Sequence, residues 1–518
     1  MEVAFPRTYN AAVDLVDRHV AEARGERVAY TDDLEEVTYA GLAARVNRAG
    51  NALRALGVRR EERVMLAMLD TIDMPAVMLG AMKIGAVPVP VNTLLQPHDY
   101  AYLVKDSRAR VLVVSDHLLP KLEPAIAAAT ELAHVVTART VLGGARGAHS
   151  KLEELLAAAS PELAAADTTP DDVGFWLYSS GSTGAPKGAM HLHAHLMWTS
   201  ALYAQTVLGL RADDVVYSAA KLFFAYGLGN ALTFPLSVGA RTVLAAERVT
   251  PHLFARVMHK HQPSVFCGVP TLFAALLADA ELGPDRASRA LRVSTSAGEA
   301  LPRHVGEAWR ARFGSDILDG IGSTEMLHIF ISNRSGEVRY GTSGRPVPRY
   351  DVKLTGDDGE PVADGEEGSL WVRGPSACVA YWNQRERSLA TFHGPWTRTG
   401  DRYVRDQDGY FTYSGRGDDM LKVGGIWVSP FEVESALSSH EAVLEAAVVG
   451  HADDEGLIKP KAFVVLKDAA RAGEELEHAL KAHVKARLAP YKYPRWIEFV
   501  AELPKTATGK VQRYRLRA

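Results

Sequence analysis

The sequence predicts a layered α/β body, a β-rich subdomain behind it and a smaller α+β block at the end of the chain. Three observations carry that prediction. Helical and strand-like patterns alternate over about the first 170 residues, the mark of stacked α/β layers. From Asp351 the pattern shortens to strands separated by turn formers. After about Asp418 helices and strands mix again over roughly 100 residues, enough for a separate domain.

Taken in order, residues 39 to 56 place Leu42, Val46, Ala49, Leu53 and Leu56 at three- and four-residue spacing, one apolar helix face. Residues 63 to 68 read as a short buried strand. A second apolar helix runs to Lys83, ahead of a segment, 87 to 91, broken by Pro88 and Pro90. Residues 110 to 116 form a β-branched run ending in a turn former, as in a parallel strand buried on both faces. Thr168-Thr169-Pro170-Asp171-Asp172 is a polar linker, after which glycine-bearing motifs crowd the chain to about residue 346. In the last block, residues 430 to 438 and 476 to 488 read as helices, and 444 to 449 and 461 to 466 as strands.

Length and composition bound the function. At roughly 150 residues per domain, 518 residues give more than one core, and 47 % hydrophobic with 23 % charged residues excludes a disordered or fibrous chain. The formal charge of −4, without a basic block, gives no reason to expect nucleic acid or an anionic membrane as partner. Cys267 and Cys378 form no CxxC pair, which argues against disulfides, a zinc ribbon or a redox dithiol and for the cytoplasm. No secretory signal is visible at the N-terminus. The longest apolar stretch, 74 to 91, carries Lys83 and two prolines and is not expected to cross a membrane.

Tyr178-Ser179-Ser180-Gly181-Ser182-Thr183-Gly184-Ala185-Pro186-Lys187-Gly188 follows an apolar run. Such a loop presents backbone N–H groups and hydroxyls, and Lys187 adds a positive charge, which suits a polyphosphate. The plain alternative is a strand-to-helix turn. The string is neither a Walker A loop nor GxGxxG, because Lys187 lies between Pro186 and Gly188. It closely resembles the phosphate loop of the acyl-adenylate-forming superfamily, which includes acyl- and aryl-CoA synthetases, adenylation domains and beetle luciferases. Further signatures of that family follow in order: Ser296-Ala297-Gly298-Glu299-Ala300-Leu301, Asp319-Gly320-Ile321-Gly322-Ser323-Thr324-Glu325, Trp396-Thr397-Arg398-Thr399-Gly400-Asp401, Gly415-Arg416-Gly417-Asp418-Asp419-Met420-Leu421-Lys422-Val423-Gly424-Gly425 and Pro504-Lys505-Thr506-Ala507-Thr508-Gly509-Lys510.

The resemblance implies an N-terminal AMP-binding domain over 1–417, built from two α/β subdomains and a β-rich one. A small mobile C-terminal domain over 418–518 would turn about a hinge at Asp418. It also implies a two-step reaction in which a carboxylate attacks the α-phosphorus of ATP and a thiol then displaces AMP. Such chemistry needs charge neutralisation and alignment more than a covalent nucleophile. By resemblance Lys510 is the catalytic lysine, although a lysine in such a tail is otherwise a solvated one. Glu325 is the ligand of Mg2+, and the plain reading of Ser323-Thr324-Glu325 is a helix start. Asp401 would accept the ribose hydroxyls, with Arg416 beside it. Gly298, Glu299, Asp319, Gly320, Ile321 and Gly322 would flank the adenine. Ser180, Gly181, Ser182, Thr183, Gly184, Lys187 and Thr324 would meet phosphate. Lys422, Gly424 and Gly425 would line the tunnel for coenzyme A.

Two strings, 221 to 230 and 326 to 333, resemble those of benzoate-type aryl-CoA ligases. They imply a flat pocket for an aromatic carboxylate walled by Ala225, Tyr226, Gly227, Ala297, Ile321 and His328, where core packing is the default for the aromatic groups. His328 reads equally as a hydrogen-bonding group for the acid or as a packed neutral ring. His191, His193 and His195 contain an i,i+4 pair, but Leu192 stands where an HExxH site needs glutamate. Lys481, Lys485, Arg487, Lys492 and Arg495 read as a solvated face, with contact to CoA phosphates as the lesser alternative. The chain ends soon after Lys510, so a free-standing CoA ligase is expected rather than one with its own carrier domain. The alternatives are an adenylating enzyme that loads a separate carrier protein, luciferase-like oxidation of an adenylate, and an inactive nucleotide-binding regulator. A homodimer is compatible with the resemblance.

Overall fold

A computed structural model describes residues 3–179, 185–417, 419–423, 426–453, 458–488, 492–505 and 511–517, without the side chains of Lys422, Ile426 and Trp427. The first lobe is built on a five-stranded parallel sheet. Its spatial order is Val87–Pro90, Arg63–Ala67, Val111–Ser115, His134–Ala138 and Ser150–Lys151. Every residue of Val111–Ser115 is buried, as its β-branched run requires for a central parallel strand. The helix Tyr39–Ala55 starts where the Thr38 side chain accepts from the Gly41 N–H, and it buries Leu42, Val46, Ala49 and Leu53.

The second lobe holds a nine-stranded sheet whose five middle pairings are parallel. They join Asp316–Gly322, Val293–Ser296, Val265–Gly268, Val215–Ser218, Arg241–Val243 and Val28–Thr31. Glu36–Thr38 closes one edge antiparallel, and Ile329–Ser332 with Arg345–Pro346 closes the other. The N-terminal hairpin thus leaves the first lobe and joins the second, with Tyr30 opposite Thr242. Open parallel sheets take ligands at the carboxyl ends of their strands. Ser296 and Gly322 mark that edge here.

The glycine loop joins two antiparallel strands, Val173–Ser179 and Lys187–Leu192, with Ser179 opposite Lys187. The strand-to-helix alternative is therefore corrected: the chain returns on itself because both flanking segments pair with each other. Behind this lies an antiparallel sheet of Asp351–Thr355, Glu367–Arg373, Phe392–His393, Trp396–Arg405 and Phe411–Arg416. In the final block Ile458–Leu466 is the central strand, antiparallel to Val443–Ala452 on one side and parallel to Trp496–Phe499 on the other, and Pro430–Ser438 and Glu474–Lys485 pack on this sheet. Val433, Leu437, Val448, Val464, Leu480 and Val484 form its own core. Among the described residues no helix is long and apolar enough to cross a membrane.

Candidate active site

The strand Asp316–Gly322 reaches the carboxyl edge, turns through 323–328 and returns as Ile329–Ser332. Gly322 permits this return, since a Cβ there would stand 2.5 Å from the His328 carbonyl oxygen. The helix start read for Ser323-Thr324-Glu325 is corrected to a turn. Ser323 Oγ accepts from the Met326 N–H at 3.2 Å as an N-cap would, but the Leu327 N–H bonds the Thr324 carbonyl at 3.1 Å and Leu327 takes a positive φ of 66°, so the chain leaves the helical path after one turn. The turn presents Glu325. Its Oε1 accepts from Tyr381 Oη at 2.7 Å and Ser179 Oγ at 3.3 Å, and lies 4.0 Å from Lys187 Nζ. Thus a carboxylate from one lobe meets the base of the glycine loop from another segment. Residues 180–184 lie outside the described residues, but the loop's last anchors are fixed: the Pro186 carbonyl accepts from Tyr102 and Gln384, and that of Ala185 from Arg387.

Burial lowers the His191 pKa to about 4, while its hydrogen bond to the Thr324 carbonyl opposes the shift. Nε2 meets that carbonyl at 2.8 Å, and Nδ1 lies 3.1 Å from Nδ1 of His195. His193 Nδ1 accepts from the Ala11 N–H. These histidines are used as internal props, and His191 supports the turn that carries Glu325. Among the described residues no group of three or more His, Cys, Asp and Glu side chains is arranged to hold a metal.

The expected acyl wall is partly gathered. Tyr226 and Gly227 lie on the short helix Ala225–Leu228, which continues through a π-helical turn, Gly229–Thr233, into Phe234–Val238. Tyr226 Oη pairs with Thr295 Oγ1 at 2.7 Å, and His328 Nε2 lies 3.3 Å from the Tyr226 carbonyl. That carbonyl makes Nε2 the donor and leaves Nδ1 as the acceptor, buried with no partner among the described residues. Burial lowers the His328 pKa to about 3, so the ring is neutral. Tyr203 and Phe234, which the sequence reading missed, complete its cage at ring separations of 5.1 and 4.5 Å. Tyr226, Ala297 and Ile321 share one apolar cluster with them, whereas Ala225 packs with Leu222 and Leu228 in another.

Gly298 and Glu299 follow the strand Val293–Ser296, beside Asp319, Gly320 and Ile321 on the next strand. Burial raises the Asp319 pKa to about 8, against the opposing hydrogen bond from the Leu301 N–H. Asp401 and Arg416 face each other across two antiparallel strands, with Nη1 3.1 Å from Oδ1. Arg416 also donates to the Thr399 carbonyl.

Lys510, Asp418, Gly424 and Gly425 lie outside the described residues, as does the Lys422 side chain. Arg513 donates to both oxygens of the buried Glu434, and Arg513 and Arg517 both approach Asp419. Of the basic group further back, Lys481 pairs with Glu477 and Lys492 with Glu432, while Lys485 and Arg495 flank the Tyr493 ring.

The model of the AMP-binding enzyme family matches residues 17–382, and that of the AMP-binding enzyme C-terminal domain matches 432–510. A benzoate–CoA ligase of Thauera aromatica is 57 % identical over 518 residues, covering 100 % of this chain and 97 % of the relative. A 4-hydroxybenzoate–CoA/benzoate–CoA ligase of Rhodopseudomonas palustris is 50 % identical, with 99 % and 94 % covered. Among solved structures, a benzoate CoA ligase from Burkholderia xenovorans LB400 superposes with a TM-score of 0.90 at 51 % identity, covering 98 % of this chain and all of the other. An anthranilate CoA ligase in complex with anthranoyl-AMP gives 0.94 at 43 % identity, with 99 % and 97 % covered. Two family models matched in chain order, and relatives at least half identical along nearly their whole length, establish that this chain belongs to the AMP-binding enzyme family.

Proposed function

We propose that the protein activates an aromatic carboxylate, benzoate or a hydroxy- or aminobenzoate, through an acyl-adenylate to its CoA thioester. The observation that carries this reading is the neutral, aromatic-walled cluster of Tyr226, His328, Tyr203 and Phe234 beside the turn that bears Glu325. Relatives named as benzoate–CoA and hydroxybenzoate–CoA ligases support it. The cytoplasm, where ATP and CoA are supplied, suits this chemistry.

In the first step a carboxylate oxygen forms a bond to the α-phosphorus and pyrophosphate leaves. In the second the thiol sulfur attacks the acyl carbonyl, loses its proton, and AMP leaves. Lys187 and the loop residues Ser180 to Gly184 hold the outgoing phosphates, and Thr324 orients them. Asp401 accepts from the ribose hydroxyls, which a carboxylate can do with both oxygens, and Arg416 keeps it in place. Gly298, Glu299, Gly320, Ile321 and Gly322 flank the base, with Asp319 protonated behind them at neutral pH. Lys510 stabilises the charge that develops between carboxylate and α-phosphate.

A lone carboxylate is too few ligands for a resident cation, but it fits Mg2+ that arrives with the nucleotide and keeps phosphate and water as its other ligands. Bound there, the ion would neutralise phosphate charge. Rotation about Asp418 would exchange Lys510 for Lys422, Gly424 and Gly425, so that the CoA thiol enters after adenylation.

The test is ATP–pyrophosphate exchange against benzoates, cinnamates and short fatty acids, followed by addition of CoA or a phosphopantetheinylated carrier. An aromatic acid and CoA are the expected pair. A fatty acid as best substrate would refute the aryl pocket, and carrier in preference to CoA would make this a carrier-loading enzyme. Lys510→Ala is expected to abolish exchange yet form thioester from supplied benzoyl-adenylate.

A further inference from the structure

Residues 376–382 run as an unassigned strap across the site. Ser376 Oγ donates to the Met326 carbonyl, and the Cys378 N–H donates to that of Glu325 at 2.7 Å, so the strap grips the carboxylate-bearing turn. It also bonds along the strand after the glycine loop: Val379 N–H to Met190 O, Met190 N–H to Ala380 O, and Trp382 N–H to Gly188 O. Tyr381 stands where the two attachments meet. It is 3 % exposed, and its ring rests on Phe392 at 5.2 Å.

The directions of its hydrogen bonds are set by chemistry. A carboxylate only accepts, so the phenol donates to Glu325 Oε1 at 2.7 Å; an ammonium only donates, so the same oxygen accepts from Lys187 Nζ at 3.2 Å. The hydroxyl thus stands in a relay from Lys187 to Glu325, whose direct separation is 4.0 Å. Lys187 also sits over the Tyr381 ring, 4.5 Å from its centre. Among the described residues, every hydrogen bond to the Glu325 carboxylate falls on Oε1.

Resting on the adenylating function above, we propose that Tyr381 is a positioning residue for the Mg2+–nucleotide. Its hydroxyl ties down Oε1 so that Oε2 is presented to the cation, and it holds the Lys187 ammonium off the carboxylate and ready for phosphate. Without the hydroxyl the ammonium and carboxylate can close on each other, cancelling the two charges that the nucleotide and its cation require.

The probe is α,β-methylene-ATP, bound calorimetrically at a series of Mg2+ concentrations, with AMP as the ligand that needs no cation. For Tyr381→Phe the Mg2+ midpoint is expected to rise roughly 10- to 100-fold, the range for one hydrogen bond to a charged group. AMP affinity should stay within about twofold on the same scale of comparison. Thioester formation from supplied benzoyl-adenylate should also persist. Phe392→Leu removes packing from the Tyr381 ring but none of its polar partners, and is expected to leave the midpoint unchanged. An unchanged midpoint in Tyr381→Phe, an equal loss of AMP affinity, or the same shift in Phe392→Leu would each overturn the role of the hydroxyl. Failure of the wild-type protein to bind either nucleotide would overturn the parent function, and the inference with it.

Discussion

Gly229→Ala is a sharp probe of the aryl pocket because it acts on His328 without touching the nucleotide residues. A Cβ at position 229 would lie 2.4 Å from His328 Cδ2, 2.8 Å from its Nε2 and 2.9 Å from Phe234 Cζ. Ordinary van der Waals contact begins at 3.4 Å, so the ring must retreat by roughly 1 Å, the difference between 3.4 and 2.4. Tyr203, Tyr226 and Phe234 surround it, and its hydrogen bond to the Tyr226 carbonyl is already 3.3 Å long. That retreat breaks the bond and drives the ring against the aromatic cage of Tyr203, Tyr226 and Phe234 that walls the proposed acyl pocket. Overpacking costs about 1–3 kcal/mol, and a buried N–H left unpaired costs about 1–3 kcal/mol more. The assay is steady-state adenylation with benzoate and 4-hydroxybenzoate, with thermal melting as a check on folding. We expect kcat/KM for benzoate to fall by at least about tenfold, as for a pocket altered by one methyl group. The para-substituted acid should lose more, and KM for ATP should hold. Unchanged benzoate kinetics in a folded variant, or an ATP KM that rises in parallel, would refute the placement of His328 in the wall.

Three further outcomes follow from buried charge. Asp319 is raised to about 8 in the fold from an ordinary 3.8, so its contribution to stability is full below 3.8 and is lost as pH rises through 8. Asp319→Asn should remove that slope; urea midpoints between pH 5 and 8.5 should diverge from wild type by about 1.4 kcal/mol per pH unit, and a constant difference would refute it. His193 is lowered by burial to about 4, so the stability it contributes is present above 6.5 and is lost as pH falls from 6.5 toward 4. His193→Asn keeps an acceptor for the Ala11 N–H and should reduce acid sensitivity by a few kcal/mol at pH 4; an identical acid transition counts against it. Arg513→Met strips the buried Glu434 of its counter-charge and should destabilise the C-terminal block by about 3–5 kcal/mol, read as faster amide exchange in Val443–Ala452; unaltered protection would exclude the pair as a stabilising element.

The elements that were legible in the sequence are those whose cause is local. The spacing of Leu42, Val46, Ala49 and Leu53 made one helix face, and the β-branched run at 111–115 made a central strand. In the last block Pro430–Ser438 has its expected bounds, whereas the helix expected over 476–488 spans Glu474–Lys485, the strands expected over 444–449 and 461–466 extend to Val443–Ala452 and Ile458–Leu466, and the strand Trp496–Phe499 was not foreseen. What stayed hidden depends on distant partners. Tyr381 meets Glu325 across 56 positions, and nothing in Tyr381-Trp382 says which carboxylate its hydroxyl will find. Tyr203 and Phe234 carry no motif of their own, and only the turn ahead of the return strand brings His328 beside both. The hairpin at 28–38 joins the second sheet through Arg241–Val243, a pairing that no local pattern announces. For the nucleotide residues the motifs preceded the geometry, because their strings resemble known ones even where each residue alone is unremarkable.

The π-helical turn Gly229–Thr233 carries a consequence for how such a pocket diversifies. A π-turn holds more residues than an α-turn, so loss of one residue there returns the helix to α-geometry. The extra residue is confined to that turn, so a deletion inside it would be taken up there and the helix faces that carry Tyr226 and Phe234 would keep their directions. The chain can therefore change length in this turn while Tyr226 and Phe234, on either side of it, still face His328.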